Sequence, residues 1–327
     1  MIKDLFERSF LKSVDTGNID SEDKTFLITC PVRSENLIAS IKETGVASPI
    51  ILREKGSRYQ IVSGARRVAA YRELGIKTVG AFVFPEKKLA DKEAFCLNLF
   101  ENHSGRSFNA VEKAMILNTL LKRLKIDKNE YNKKFLPVIG ISLNKKENET
   151  LFRVLGLDET IKAYIAGEDI SLKNTLLWMS LSGEEEEVFR LIKGLKLSSS
   201  KMREVFTFLQ EIGRRDRVTI KTIIDSPEIQ TVLNDENLSL PEKTSKVRAV
   251  LKRGRFPRLT SMEESFAKRV KGLKLPKGVM LRPPAFFEEE EFTIEFRIKN
   301  QKELKKISRS LVDLSDKEEV SDLFRTD

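Results

Sequence analysis

The sequence predicts an α+β protein with three parts: a small mixed α/β domain, an all-helical middle region containing a helix-turn-helix, and a small ββα module at the end. Three observations predict it. Between Pro49 and Phe84 short β-prone runs flank a single helical run. From Asn109 to about Leu273 apolar residues recur at helical spacing nearly without interruption. Near the end, Phe292-Thr293-Ile294-Glu295-Phe296-Arg297-Ile298 alternates apolar with polar, and a helical stripe follows it. The boundaries expected on this basis are 1–108, 109–225, a basic helical linker over 226–274, and 275–327.

In the first part, Leu37 to Gly45 reads as a helix leading into an extended Pro49-Ile50-Ile51-Leu52. Arg58-Tyr59-Gln60-Ile61-Val62 is a strand, and Ser63-Gly64-Ala65 a tight exit from it. Arg66 to Leu74 is a helix closed by Gly75, and Lys77 to Phe84 a strand stopped by Pro85. Arg66 and Arg67 fall in the first turn of that helix, where the partial positive charge of the helix end disfavours cations. Their placement makes sense if an anion lies between them and the free backbone N–H groups, as in a phosphate cradle. The alternative is that they are solvated, or held by carboxylates such as Glu101. Leu97 to Asn102 then ends an apolar helix in an acid–amide pair, followed by Arg106 and by Asn109, which opens a new helix with Glu112 three positions on.

In order and spacing these pieces resemble the N-terminal domain of the ParB family of partition proteins, whose pattern is a helix and "QPI" strand, a GERRxRA phosphate motif and ENxxR. The resemblance covers residues 27 to 125 well and continues more weakly to about 212. It implies a ParB/sulfiredoxin-like fold for the N-terminal domain. The chain departs from the pattern. GERRxRA stands here as Gly64-Ala65-Arg66-Arg67-Val68-Ala69-Ala70, and Gly105 takes the place of the last arginine of ENxxR, with Arg106 one step late. In that family the motifs grip the triphosphate of CTP and the Glu-Asn pair helps hold Mg. The resemblance therefore implies a CTP site of Gly64, Arg66, Arg67, Glu101, Asn102 and Arg106, with Glu101 and Asn102 as the Mg ligands. Hard cations take such oxygen donors and bridge phosphates. With one arginine fewer, weak CTPase activity is the most the motifs support. A second function class stays open: sulfiredoxin, a free-serine kinase and some nucleases share this architecture. The position after Gly64 is Ala65, not the cysteine that sulfiredoxin chemistry needs. For a kinase or nuclease, Glu101 is the only motif-borne catalytic carboxylate.

Composition narrows the classes. Of 327 residues, 59 are Lys or Arg and 49 Asp or Glu, a net charge of +10 that favours phosphate backbones. A third of the residues are charged and 40% hydrophobic, as in a folded globular chain rather than a disordered one. No apolar run approaches the ~20 residues of a membrane span, and Met1 to Arg8 lacks the apolar core of a signal peptide. The cytoplasm, on nucleoid or plasmid DNA, is the expected location. Cys30 and Cys96 read as reduced core residues, and two cysteines with one histidine argue against structural zinc. His103, between the motifs, reads as a loop residue or phosphate neighbour rather than a catalytic base.

Further on, Val111, Ala114, Met115, Leu117, Leu120, Leu121 and Leu124 form one apolar stripe. A short helix around Glu130 to Val138, a turn over Ile139-Gly140-Ile141-Ser142-Leu143 and a helix from Lys145 to Leu155 capped by Asn144 outline a helix-turn-helix. The family carries one at this place. Its second helix is expected to turn Lys145, Lys146, Asn148, Glu149 and Arg153 towards duplex DNA, since Lys, Arg and Asn suit phosphates and base edges. An ordinary solvated face is the competing reading. Asp158 to Gly167 and Ile170 to Leu177 are further helices, with Trp178 and Met179 in the core. Gly183-Glu184-Glu185-Glu186-Glu187 is an acidic helix start and Ser198-Ser199-Ser200 another cap. Between Lys243 and Lys274 the chain is most concentrated in cations. Lys252, Arg253 and Arg255 are candidate clamps on DNA, with a solvated helical linker as the alternative. The final module pairs Val279-Met280-Leu281 with the alternating strand, and Asn300 caps a helix bearing Leu304, Ile307 and Leu311. Two strands and a helix bury too little to stand alone. The module must dock on the rest of the chain or pair with another copy; a homodimer through it is expected, and a partition ATPase is the partner the resemblance implies.

Overall fold

The β-branched and aliphatic run Ile50-Ile51-Leu52 is the centre of a five-stranded sheet. This is a computed structural model that describes residues 4–141, 144–181, 183–287, 291–315 and 320. Strands β1 (Phe10–Asp15), β2 (Ile19–Asp20), β3 (Ile50–Lys55), β4 (Arg58–Ser63) and β5 (Thr78–Phe84) lie in the order β1-β5-β3-β4-β2. β1 runs antiparallel to β5 and β3 antiparallel to β4, whereas β3–β5 and β2–β4 are parallel, so the sheet is mixed. Gly56-Ser57 closes the β3–β4 hairpin, with Gly56 at φ +58°, the left-handed conformation a two-residue hairpin turn needs.

Helices α1 (Glu35–Thr44) and α2 (Ala65–Glu73) contribute Ile38, Ile41, Val68, Ala70 and Tyr71 to a core with Ile50, Leu52, Val79, Ala81 and Val83 of the sheet. Helix α3 (Asp91–Gly105) buries Phe95 and Leu99 completely and packs beside β4. The expected strands and helices of this region are present, and two strands were not foreseen. β1 buries only Val14 of its six residues, so it shows no alternation, and β2 is two residues long; both are defined by pairing with distant segments. Helix α3 also runs on to Gly105, which places His103 in its last turn rather than in a loop.

Helix α4 (Ala110–Asn118) opens with the expected capping box and passes into a π-helical turn, Thr119–Arg123. Next come α5 (Lys128–Glu130), a second π-helical turn over Tyr131–Phe135, α6 (Leu136–Ile139) and α7 (Lys145–Phe152). Gly140 ends α6 at φ +65°, and Asn144 caps α7 through the Glu147 N–H at 2.9 Å, so both helices of the expected helix-turn-helix form. Ser142 and Leu143 of the turn lie outside the described residues. Helices α8 (Glu159–Gly167), α9 (Leu172–Met179) and α10 (Glu185–Lys193) follow, with Trp178 and Met179 fully buried. After them come α11 (Ser199–Asp216), α12 (Ile220–Ile224), α13 (Pro227–Asn234), α14 (Leu240–Arg255) and α15 (Pro257–Gly272).

The chain divides into two compact units, Met1–Arg190 with Ser198–Arg203, and Leu191–Leu197 with Glu204–Asp327. The expected divisions at 108 and 225 are therefore not the boundaries of these units. Nor is 226–274 a linker. Helix α14 buries Thr244, Val247 and Leu251, Arg248 pairs with Glu204 of α11, and Arg215 donates to the Gly254 carbonyl at 2.8 Å. In the last part, β6 (Val279–Arg282) pairs antiparallel with β7 (Thr293–Phe296), and α16 (Gln301–Ser315) follows. Phe266 of α15 stacks on Phe292 at 5.7 Å and meets Phe287 edge-on at 5.9 Å.

Candidate functional site

Strand β4 ends at Ser63, and the chain turns into α2 through Gly64, the N-cap residue, at φ +103°. A Cβ built on Gly64 meets Ile50 Cγ2 at 2.7 Å, so glycine is required here both by backbone conformation and by close approach to β3. The turn places the first residues of α2 against a cleft of about 280 Å³. Its walls include Thr29, Ser63, Gly64, Arg66, Arg67, Glu101, Asn102, Gly105 and Arg106. The six residues expected in the phosphate site thus line one cavity, although they come from the α2 start and the α3 end. The fold adds Thr29, Leu37 and Ser63, which the motifs did not single out.

Both arginines of α2 have partners. Arg67 donates to the Pro49 carbonyl at 2.7 Å and the Ser48 carbonyl at 3.2 Å, and pairs with Glu101 at 3.1 Å. Arg66 donates Nε–H to the Pro31 carbonyl at 3.0 Å, and its Nη2 lies 3.8 Å from Glu112. Burial pushes the Arg66 pKa down, and the neighbouring Arg106 adds to that. Arg106 donates to Glu112 at 2.6 Å and to Asn102 Oδ1 at 3.4 Å, with its guanidinium 5.6 Å from the Phe108 ring centre. The cleft therefore gathers three guanidinium groups against the partly exposed Glu101 and the buried Glu112, an excess of positive charge that favours an anion.

Glu101 is not poised as a base or as a metal ligand. One of its oxygens accepts from Arg67 and the other from the Ser63 hydroxyl. Asn102 turns its amide nitrogen to Asn98 Oδ1 at 2.7 Å. Both side chains carry the hard oxygen donors that Mg takes, yet Arg67 and Arg106 hold those oxygens here. Among the described residues no three His, Cys, Asp or Glu side chains form a metal-sized group. His103 stacks against Phe108 at 6.3 Å and does not line the cleft. Cys30 is half-buried, and burial together with Glu112 pushes its thiol up to about 11. A second recess of about 230 Å³ shares Thr29, Ser63, Gly64 and Ala65 with the cleft and is walled by Phe26, Ile28, Val62 and Asn98 among others.

The expected DNA-contacting residues divide. Lys145 and Lys146 project from the first turn of α7, Lys145 being 92% exposed. Lys145, Asn148 and Arg153 line a wide cleft of about 1040 Å³ with Lys122, Lys128 and Tyr131. Asn148 is half-buried, and its Oδ1 is shielded with no hydrogen-bond partner. Arg153 is used internally. It donates to the Met179 carbonyl at 2.7 Å and pairs with Glu185, tying the end of α7 to α9 and α10. In the second unit, Lys252 pairs with Glu263 at 2.9 Å, Arg253 lies 3.9 Å from Glu264, and Arg255 pairs with Glu211. Lys252 and Arg253 thus face acids of α15, because α14 and α15 fold back on each other, and Arg255 faces Glu211 of α11.

The family model for the ParB N-terminal domain matches residues 27–103, which hold α1, β3, β4, α2, β5 and most of α3. The chain is 27% identical over 203 residues to the probable chromosome-partitioning protein ParB of Coxiella burnetii, covering 62% of this chain and 67% of that protein. It is 28% identical over 158 residues to the corresponding protein of Pseudomonas putida, covering 48% of this chain and 51% of that one. The chain thus spans between half and two thirds of the length of these relatives. A solved structure of the C-terminally truncated ParB from Caulobacter crescentus, complexed with CTP-gamma-S, aligns over 54% of this chain and 96% of that chain at 21% identity. Its TM-score of 0.26 is too low for a residue-by-residue comparison of geometry. The mixed α/β domain with its arginine-lined cleft matches the ParB N-terminal domain family over residues 27–103, and the chain is similar to ParB-type partition proteins.

Proposed function

We propose that this protein is a DNA-binding partition protein whose N-terminal cleft binds the triphosphate of CTP. The observation that carries the reading is the convergence of Gly64, Arg66, Arg67, Glu101, Asn102 and Arg106 on one cavity at the N-terminus of α2. A helix N-terminus and guanidinium groups meet there, which is the chemistry of phosphate recognition. The apolar recess that shares Ser63-Gly64-Ala65 with this cavity gives a ligand longer than a phosphate chain a wall to lie against. Glu101 and Asn102 would be the residues to hold Mg, which would supply neutralisation of the phosphate charge. Duplex DNA is the partner assigned to the exposed start of α7, with Lys145 and Lys146 on its phosphates. The same reading assigns a partition ATPase as a further partner, a homodimer as the assembly, and nucleoid or plasmid DNA as the location.

Catalysis is not assigned, because the only carboxylate lining the cleft is held by Arg67 and Ser63. Titration calorimetry of the full chain with CTP and Mg, alongside the other three nucleoside triphosphates, tests the reading. Binding is expected. Arg67→Ala is expected to weaken it about tenfold or more, the loss of a charge-assisted hydrogen bond worth roughly 1.5–3 kcal/mol. An absence of heat with every triphosphate at millimolar concentration overturns the nucleotide assignment.

A further inference from the structure

Among the described residues, Glu112 is the only charged side chain that is fully buried, at 0% exposure. A carboxylate is tolerated in such a place only when it is paired and hydrogen-bonded. In the sequence Glu112 reads as the third residue of a capping box, and it does accept from the Asn109 N–H, at 3.1 Å. That bond occupies a small part of its capacity. Its Oε2 also accepts from Arg106 at 2.6 Å, its Oε1 accepts from the Cys30 N–H at 3.1 Å, and Arg66 Nη2 lies 3.8 Å from Oε1. These other partners lead to the anion cleft. Arg66 and Arg106 line it, and Cys30 follows Thr29, which lines it as well. Asn109 closes the arrangement by donating to the Cys30 carbonyl at 2.8 Å, and Arg66 does so through the adjacent Pro31 carbonyl.

We propose that Glu112 is the positioning residue of the anion cleft. From behind the cavity, it fixes Arg66 and Arg106 at the separation and orientation in which both can meet one polyphosphate. The inference rests on the reading of the cleft as a polyphosphate site. Two guanidinium groups side by side repel each other, and each loses rotamer freedom on being held. A shared buried carboxylate removes both obstacles before the ligand arrives. The sign of the effect separates positioning from charge. Deleting a negative charge beside an anion site strengthens anion binding on Coulomb grounds, whereas releasing the two arginines weakens it.

The test uses the full chain and inorganic tripolyphosphate, followed by calorimetry at low salt, with thermal unfolding of each variant as the folding control. Glu112→Gln keeps the shape and one acceptor oxygen; it is expected to bind about tenfold more weakly, the scale of one charge-assisted hydrogen bond. The effect is expected to shrink in the background of Arg106→Ala, where only Arg66 is left to hold, so that the double variant loses less than the product of the two single losses. Because E112Q removes a buried anion and can fail to fold, Arg106→Lys serves as a second probe. It keeps the charge but lacks the two separate nitrogens with which Arg106 spans Glu112 and Asn102, and is expected to bind several-fold more weakly than wild type. E112Q binding at wild-type affinity or tighter, additive effects in the double variant, or R106K matching wild type each overturn the proposal. A wild-type chain that does not bind tripolyphosphate overturns the polyphosphate reading and this proposal with it; binding that is indifferent to Glu112 overturns only the positioning role.

Discussion

Gly64 shows how a single residue joins fold to function. Its backbone is left-handed, and a side chain there would press on Ile50 Cγ2 at 2.7 Å. Gly64→Ala is expected to cost about 1–3 kcal/mol through the strained conformation, plus whatever shift of β3 relieves the contact. Scanning calorimetry should register a fall of several degrees in Tm. An unchanged Tm would show that the turn adapts freely. Cys30 carries a pH signature of opposite sign to the usual carboxylate case. Burial and Glu112 hold its thiol at about 11 in the folded chain, against about 8.5 for an unfolded thiol. Between those values the unfolded chain binds fewer protons than the folded one, so stability falls as pH rises from about 8.5 to 11. The Tm difference between wild type and Cys30→Ala is expected to drift towards C30A over this window and to be flat below pH 8. A flat difference throughout would remove the linkage.

At the scale of elements, the two candidate DNA surfaces differ in what their cations already do. On α7 the lysines of the first turn are solvated, and the closest acid to Lys145 is Glu149 at 4.0 Å, within the same helix. On α14 the cations are committed to Glu263, Glu264 and Glu211. Exposed cations release counterions from DNA at little cost, whereas a paired one must first give up its acid. Lys145→Ala/Lys146→Ala is therefore expected to weaken duplex binding and to lower the salt slope by about 2. Lys252→Ala/Arg253→Ala/Arg255→Ala is expected to have the smaller effect on DNA and the larger one on Tm. Electrophoretic shifts across a salt series, with melting curves beside them, decide the order. A larger loss from the α14 variants would reverse the assignment. Arg153 belongs to neither surface, since Met179 and Glu185 hold it.

At the scale of the whole molecule, the ββα module bears on assembly. Val279 and Ile307 are buried, and Phe266 packs on Phe287 and Phe292, yet Met280, Ile294, Ile298, Leu304 and Val312 remain 37–62% exposed. Docking on α15 thus covers part of the apolar surface of the module and leaves these apolar side chains for a second copy to cover. Light scattering on the full chain is expected to give a dimer, and a truncation ending at Lys274 a monomer. A full-length monomer at tens of micromolar rules out pairing through this face. No helix among the described residues is long and apolar enough to cross a membrane.

The sequence by itself determined the elements whose signals are local. Gly75, Pro85, Asn144 and the Asn109–Glu112 box punctuate the chain where helices and strands begin and end, because caps and turns depend on a few adjacent residues. It also named six of the residues that line the cleft at the start of α2, since Gly64-Ala65-Arg66-Arg67 and Glu101-Asn102 are short motifs, whereas Thr29, Leu37 and Ser63 came from the fold. The tertiary structure alone decided what those side chains face. Edge strands β1 and β2 carry little pattern of their own and exist through partners far along the chain. The commitment of Arg153, Lys252 and Arg255 to distant acids, and of Glu112 to Arg66 and Arg106, follows from packing that brings separate helices together. Such encounters leave no periodicity in the sequence, because charged residues on a solvated face and charged residues in a bridge have the same spacing.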